Sequence, residues 1–135
     1  MQSYIWIALI VFAGAVIAYL KSAKPKEEES DGDERNLIGM GGIYNGQIFP
    51  IGREVVIGRD IGRCGIIYPE GTRGISSVHC TVRVERDGRV ALIDMGSTYG
   101  TFRDNGEKLS PGTVYYLGAG DGFYVGDTEN TFLLK

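Results

Sequence analysis

The sequence predicts an all-β fold, a sandwich or barrel of short strands, for residues 37–135 of this 135-residue chain. The segments CTVRVE and RVALID alternate apolar and polar residues at the period of a strand, and the Asp87-Gly88 pair between them is typical of a hairpin turn. No stretch of this region shows a sustained helical repeat. Many short strands separated by turn residues are characteristic of sandwiches and barrels.

Residues 4–20, YIWIALIVFAGAVIAYL, precede this region and carry no charge. As a helix they would span roughly 26 Å, which is at the short end of what a bilayer core requires. A buried core helix is disfavoured because nearly every face of the segment is apolar. A cleaved signal peptide fits the length, but no Lys or Arg precedes the segment.

Positive charge follows the apolar segment at Lys21, Lys24 and Lys26, and such charge in a short flanking loop stays in the cytoplasm. Residues 1–20 are therefore predicted to be a single-pass transmembrane anchor in the cell membrane, with the following domain in the cytoplasm. A signal peptide is the alternative. Residues 21–36, KSAKPKEEESDGDERN, are predicted to be a flexible charged linker, because they contain too little apolar surface to offset the entropy of ordering them.

Further turn signals divide residues 37–135 into strands. Asn45-Gly46 lies between apolar pairs in IYNGQIF and predicts a hairpin. Asn105-Gly106 and Pro111-Gly112 mark later turns. The segments TVYYL, GFYV and TFLL are short and rich in aromatic or β-branched residues, as strands are.

Composition excludes several functional classes. A net charge of −3 argues against nucleic-acid binding, which usually needs a basic surface. Two cysteines are too few for a disulfide scaffold, and with a single His they do not complete a metal site, so no metal or cofactor is expected. Cys64 and Cys80 are predicted to pack as small apolar residues in a reducing compartment.

Ser76, His79 and Asp94 contain the residue types of a hydrolytic triad. A triad depends on geometry that spacing alone does not supply, and the chain has no G-x-S-x-G nucleophile elbow. We therefore predict a protein without catalytic residues that is not an enzyme.

Small polar and basic residues are concentrated in three predicted loops, which contain Gly58-Arg59, residues 75–79 and residues 94–101. Arg offers a planar fork of donors that matches the oxygens of a phosphate. Ser and Thr hydroxyls and the backbone N–H groups exposed at glycines supply further donors around an anion. If these loops converge at one end of a sandwich, they form an oxyanion site.

The segments GRDIGRC, ISSVHC, DMGSTYGT and EKLSPGTVYYLGAGDGFYVG, in this order and spacing, resemble the forkhead-associated (FHA) domain over residues 40–135. The resemblance implies a β-sandwich of about eleven strands that binds phosphothreonine peptides through loops at one end. It also implies that Arg59 contacts the phosphate and that Ser76 donates a hydrogen bond to a phosphate oxygen. Ser77 occupies a position that reaches the peptide in relatives, and Thr98 lines the pocket near the threonine methyl group.

The resemblance assigns structural roles to a second set of residues. Gly58 would permit a tight backbone and His79 would tie loops together, while the third loop would be shaped by Gly96, Ser97 and Gly100. One position departs from the family pattern, because Tyr99 stands where the family usually has an Asn that holds the backbone of the bound peptide. A phenol cannot both donate and accept as an amide does, although it still offers one hydrogen bond or an aromatic wall.

The sequence therefore favours a membrane-tethered FHA domain, in an arrangement that would suit a bacterium, that recruits phosphothreonine-containing proteins to the membrane after a Ser/Thr kinase has acted. The membrane contact is assigned to residues 4–20. The alternative is an FHA-like structural module that joins a membrane complex without depending on phosphate, and Tyr99 is the feature that favours it.

Overall fold

The computed structural model describes residues 34–135, which form two packed β-sheets. The predicted anchor, and the predicted linker as far as residue 33, lie outside the described residues. Within residues 34–135 no helix has the length and apolarity needed to cross a bilayer. The compact unit begins at Arg35, and its first strand begins at Asn36, the last residue of the range that the sequence assigned to the linker.

Ten strands and one short 3-10 helix make up the described chain. The first sheet contains β1 (Asn36–Gly39), β2 (Ile48–Pro50), β7 (Thr101–Arg103), β9 (Gly122–Val125) and β10 (Thr131–Leu134), in the order β2-β1-β10-β9-β7. The second sheet contains β3 (Glu54–Gly58), β4 (Ile66–Ile67), β5 (Cys80–Val84), β6 (Val90–Asp94) and β8 (Tyr115–Leu117), in the order β4-β3-β5-β6-β8. Among the described strands β3 and β4 pair in parallel, and the other neighbouring strands pair antiparallel.

The core lies between the two sheets and is built from alternate residues of each strand, as the strand period requires. Phe123 and Phe132 are stacked with their ring centroids 5.6 Å apart, and both are almost fully buried. Ile57, Val82 and Leu92 lie opposite them from the second sheet, with no measurable exposure. Burial of each of these side chains stabilises the fold by about 1.5–3 kcal/mol. This core fixes the strand ends from which the loops project.

The structure confirms the predicted all-β sandwich but corrects the expected eleven strands to ten within residues 34–135. After the turn at Asn105-Gly106 the returning chain forms only an isolated bridge, between Phe102 and Lys108. The chain then enters a second turn at Pro111, which has no N–H to donate to a strand neighbour. The returning segment is therefore too short to count as a strand.

The hairpin predicted at Asn45-Gly46 also has a different form. β1 and β2 do pair, but the connection between them is longer than a two-residue turn and contains a 3-10 helix, Gly42–Tyr44. The Tyr44 ring packs edge-on against Phe49 and Tyr68, and its hydroxyl donates a hydrogen bond to the Ile67 carbonyl. These contacts draw Tyr44 toward the core and away from a strand position.

The chain enters and leaves this unit at the same end of the sandwich. The backbone N–H of Asn36 donates to the Lys135 carbonyl at 3.1 Å, and the Lys135 N–H donates back to Asn36 at 2.9 Å. The opposite end of the first sheet is marked by Gly126, whose N–H donates to the Gly100 carbonyl at 2.9 Å. The loop that contains Gly100 therefore projects from the end of the sandwich away from Asn36.

Candidate functional site

Three loops converge at the end of the sandwich marked by Gly100. They are the β3–β4 loop (residues 59–65), the β4–β5 loop (residues 68–79) and the β6–β7 loop (residues 95–100). Antiparallel pairing brings them together, because Ile57 near the end of β3 lies opposite Cys80 at the start of β5, and Cys80 lies opposite Asp94 at the end of β6. Each loop thus begins or ends at the same edge of the second sheet.

Arg59 follows β3 directly and its guanidinium is held by all three of its nitrogen atoms. Nε donates to the Ile75 carbonyl at 2.7 Å, and Nη2 lies 3.4 Å from the Ser77 hydroxyl. Nη1 forms an ion pair with Glu70 Oε2 at 2.9 Å. The Arg59 side chain keeps 25% of its surface exposed, so a fixed cation faces solvent between the first two loops.

Ser76 and Thr98 join the second and third loops. The Ser76 hydroxyl oxygen accepts a hydrogen bond from the Thr98 backbone N–H at 3.0 Å. Ser76 is partly buried, whereas Ser77 and Thr98 are exposed. The structure therefore brings together four residues that the sequence proposed for one site, Arg59, Ser76, Ser77 and Thr98.

The buried imidazole of His79 makes a second connection between these loops. Its Nδ1 accepts the backbone N–H of Ser76 at 3.1 Å, so Nε2 carries the proton and donates to the Gly100 carbonyl at 2.8 Å. Burial lowers the pKa of His79, partly opposed by the hydrogen bond to Gly100 and by the charge of Asp94. The ring is accordingly neutral at pH 7, which this pattern of one acceptor and one donor requires.

Asp94 organises the third loop and was not among the site residues that the sequence proposed. Its Oδ2 accepts the backbone N–H groups of Gly96 and Ser97 at 3.0 and 3.1 Å. Its Oδ1 accepts the hydroxyls of Ser97 at 2.5 Å and Thr101 at 2.7 Å. The Ser97 hydroxyl in turn accepts the N–H of Gly100 at 3.0 Å. An Asp directly before a turn of small residues is the signal for such a loop, because its carboxylate caps the N–H groups two and three residues ahead.

Gly58 lies where two backbones approach too closely for any side chain. A Cβ at this position would stand 2.3 Å from the Ser77 carbonyl oxygen and 2.9 Å from Cys64 Sγ. The Arg59 N–H donates to the same Ser77 carbonyl at 3.0 Å. The close approach therefore locks the backbone of Arg59 against the second loop.

Tyr99 lies at the rim of the site, with 62% of its surface exposed. A shallow cavity of about 280 Å³ next to it is lined by Tyr99 together with Arg73, Gly74, Gly126 and Asp127. Arg73, the further cation of the second loop, is thus adjacent to Tyr99 but takes no part in the contacts of Arg59. The aromatic ring is available as a wall for a bound chain.

The contacts exclude a hydrolytic triad. The Ser76 hydroxyl bonds to Thr98, His79 binds the backbone of Ser76, and Asp94 binds the third loop. Cys64 and Cys80 are buried free thiols whose pKa values are raised by burial, as expected for cysteines that pack as small apolar residues. Among the described residues no cluster of His, Cys, Asp and Glu side chains is arranged to hold a metal ion.

Comparison with protein families identifies this arrangement. The family model of the FHA domain matches residues 55–126 of the sequence. This range is more than half of the chain and contains all three loops of the site. The chain belongs to the FHA domain family. FHA domains are protein-interaction modules and are generally not enzymes. Comparison with curated proteins gives no significant match.

Solved FHA domains share the fold. The FHA domain of the CT664 protein from Chlamydia trachomatis superposes with a TM-score of 0.63 at 23% identity, covering 75% of this chain and 95% of that one. An Arabidopsis thaliana FHA domain gives a TM-score of 0.64 at 26% identity, covering 76% and 84%. The N-terminal FHA domain of Rad53p from S. cerevisiae was solved in complex with a phosphothreonine peptide. It superposes with a TM-score of 0.58 at 24% identity, covering 75% of this chain and 90% of that one.

Proposed function

We propose that this FHA domain binds phosphothreonine-containing proteins through the three loops around Arg59. The observation that carries the proposal is the fixed guanidinium of Arg59, which is 25% exposed and lies beside the Ser77 hydroxyl. FHA domains typically bind phosphothreonine peptides, and one similar FHA domain was solved with such a peptide. A phosphate is dianionic or nearly so at neutral pH and suits a planar fork of donors.

Each proposed contact has a distinct part. Arg59 supplies the charge and Ser76 donates its hydroxyl proton to a phosphate oxygen, which leaves its oxygen free to accept from Thr98. Ser77 reaches the peptide beside the phosphate. Thr98 lines the pocket near the methyl group of the phosphothreonine. Charge-assisted hydrogen bonds are worth about 1.5–3 kcal/mol each, so dephosphorylation of the partner would release it.

Tyr99 replaces the amide that usually grips the peptide backbone in the family. With 62% of its surface exposed, its ring can cover one side of the bound chain and its hydroxyl can supply one hydrogen bond. We propose that peptide recognition in this chain depends more on the phosphate and less on the peptide backbone.

We further propose that residues 4–20 anchor the chain in the cell membrane, with the FHA domain in the cytoplasm and a Ser/Thr kinase acting upstream. The uncharged sequence of residues 4–20 and the lysines that follow it support this arrangement. The domain would then recruit phosphorylated proteins to the membrane. Extraction of the full-length chain with the membrane fraction, and its release only by detergent, would test the anchor.

The binding proposal is tested by titrating the full-length chain, kept in a neutral detergent, with a phosphothreonine peptide library and its unphosphorylated counterpart. Binding that requires the phosphate and is lost in Arg59→Ala would support the proposal. A folded protein that binds no phosphopeptide would refute it.

A structural interaction module is the second candidate, and Tyr99 is the observation that favours it. An exposed aromatic ring at the rim of the loops suits contact with a protein surface as well as with a peptide. In that case partners of the full-length chain would be captured from membranes equally well before and after phosphatase treatment.

A further inference from the structure

The carboxylate of Glu70 pairs with the guanidinium of Arg59, the group that binds the phosphate in the proposed function. Its Oε2 lies 2.9 Å from Arg59 Nη1, the distance of a charge-assisted hydrogen bond. The two residues are eleven positions apart in the sequence, so this contact is a product of the fold. An anion approaching Arg59 from solvent therefore meets a guanidinium that already has a negative partner.

The other contacts of Arg59 show which member of the pair can move. Nε is tied to the Ile75 backbone carbonyl at 2.7 Å, and 25% of the Arg59 side chain is exposed. The Glu70 side chain is 78% exposed, and its carboxylate contacts Arg59. The guanidinium is thus held in place by the backbone, whereas the carboxylate can leave toward solvent without breaking a core contact.

The loop around Glu70 presents it to Arg59. The backbone N–H and the hydroxyl of Thr72 both bond to the Pro69 carbonyl, at 3.1 and 2.6 Å, which closes a tight turn around Glu70 and Gly71. Gly71 has a φ of 83°, as a turn of this kind requires. Glu70 is therefore held near the site by the turn even when its side chain swings away.

Asp60 directly follows Arg59 in the sequence, but its carboxylate already has other partners. It pairs with Arg63 at 2.7 Å and accepts the N–H of Gly62 at 2.9 Å, and these contacts lower its pKa. Glu70 is accordingly the carboxylate that contacts the guanidinium of Arg59 in the described part of the chain.

We propose that Glu70 is an internal competitor for the phosphate, which sets the affinity of the site by occupying Arg59 Nη1 until a phosphorylated partner displaces it. This inference rests on the proposed phosphate contact of Arg59. Because the pair is exposed, its removal is expected to strengthen phosphopeptide binding by about two- to fivefold. Removing a negative charge at the site also makes binding more sensitive to salt, since the phosphate then meets an uncompensated cation.

The test compares the full-length wild type with Glu70→Gln, each titrated with the strongest-binding phosphothreonine peptide of the library at two salt concentrations. Asp87→Asn is the matched control. Asp87 forms an exposed ion pair of the same kind with Arg89 at 2.7 Å, at the turn between β5 and β6, which lies at the other end of β5 from His79. Both variants remove one negative charge, but only Glu70→Gln frees Arg59.

A two- to fivefold gain in Glu70→Gln with no change in Asp87→Asn is the expected result. An unchanged or weaker affinity in Glu70→Gln would overturn the inference while wild-type binding, lost in Arg59→Ala, still supports the proposed function. Equal gains in both variants would also overturn it, because they would show a general effect of charge. If neither wild type nor Glu70→Gln binds any phosphopeptide, the proposed function and the inference fall together.

Discussion

The hydroxyl oxygen of Ser76 accepts the backbone N–H of Thr98 at 3.0 Å, although the two residues are 22 positions apart in the sequence. The bond holds the second and third loops at a fixed separation before any ligand arrives. His79 braces the same two loops from below, through its contacts with Ser76 and Gly100. A ligand that needs both loops therefore finds them already in place, and less of its binding energy is spent on ordering them.

Arg59→Ala is expected to weaken phosphopeptide binding by about a hundredfold or more. The phosphate would lose two hydrogen bonds from a charged donor, each worth about 1.5–3 kcal/mol. Arg89→Ala is the matched control, since Arg89 is an exposed arginine in another ion pair. Calorimetric titration measures the affinities, and circular dichroism checks that both variants keep the sheet signal. Unchanged affinity in a folded Arg59→Ala would contradict the phosphate assignment.

Tyr99→Asn is expected to strengthen phosphopeptide binding several-fold. An amide restores a donor and an acceptor for the peptide backbone, and Tyr99 is exposed enough for the exchange to leave the core intact. Tyr99→Phe, which removes only the hydroxyl, separates the role of the ring from that of its hydrogen bond. A loss of affinity in Tyr99→Asn would instead identify the aromatic ring as a positive contact with the ligand.

Asp94→Asn is expected to destabilise the domain by about 2–4 kcal/mol. The carboxylate accepts four hydrogen bonds while almost fully buried, and an amide would turn one N–H₂ group against these donors. Asp127→Asn, in an exposed loop, should change the free energy of unfolding by less than about 0.5 kcal/mol. Urea denaturation compares the two. Equal effects of the two substitutions would show that the Asp94 network adds no stability.

The stability of the domain should rise with pH over the window between the folded-state pKa of His79 and its higher unfolded-state pKa. Burial lowers the pKa of His79 in the folded state below its unperturbed value of about 6.5, so the unfolded chain binds more protons in this window. The free energy of unfolding then increases by at most about 1.4 kcal/mol per pH unit, and the gain is complete above the unfolded pKa. Since the chain has a single His, its imidazole NMR signal reports this pKa directly. A pKa of 6.5 or higher would contradict the prediction.

Gly58→Ala is expected to destabilise the domain strongly, by more than about 3 kcal/mol, because the new methyl group would stand 2.3 Å from the Ser77 carbonyl. Gly62→Ala is the control, since its Cβ would meet only Asp60 Oδ1, at 3.4 Å. Thermal unfolding of both variants measures the difference. Similar melting temperatures would mean that the two backbones can separate at low cost.

Local patterns predicted most of the fold. Asp87-Gly88 and the alternating segments around it gave β5 and β6 correctly, because a short turn fixes the register of both strands. The connection between β1 and β2 was harder, because Tyr44 is drawn in by Phe49 and Tyr68, and contacts of that range leave no local trace in the sequence.

In the candidate site, too, some residues could be predicted from the sequence and others could not. The motifs located Arg59, Ser76, Ser77 and Thr98, which the structure brings together at one end of the sandwich. The partner of Arg59 could not be predicted, since the contact with Glu70 depends on a turn that brings back a residue eleven positions later. From the sequence, Asp94 is a member of the third predicted loop and of a triad that the spacing does not support, whereas its spacing to Gly96 and Ser97 favours a capping role.

The pairing of Asn36 with Lys135 has a practical consequence for assays. Both ends of the FHA unit leave from the end of the sandwich away from Arg59, so a coupling made through either one points the loops into solution. If the protein is attached to a biosensor chip through a tag at the end of the chain, the three loops therefore face the flowing sample. The attachment point lies at the opposite end of the sandwich.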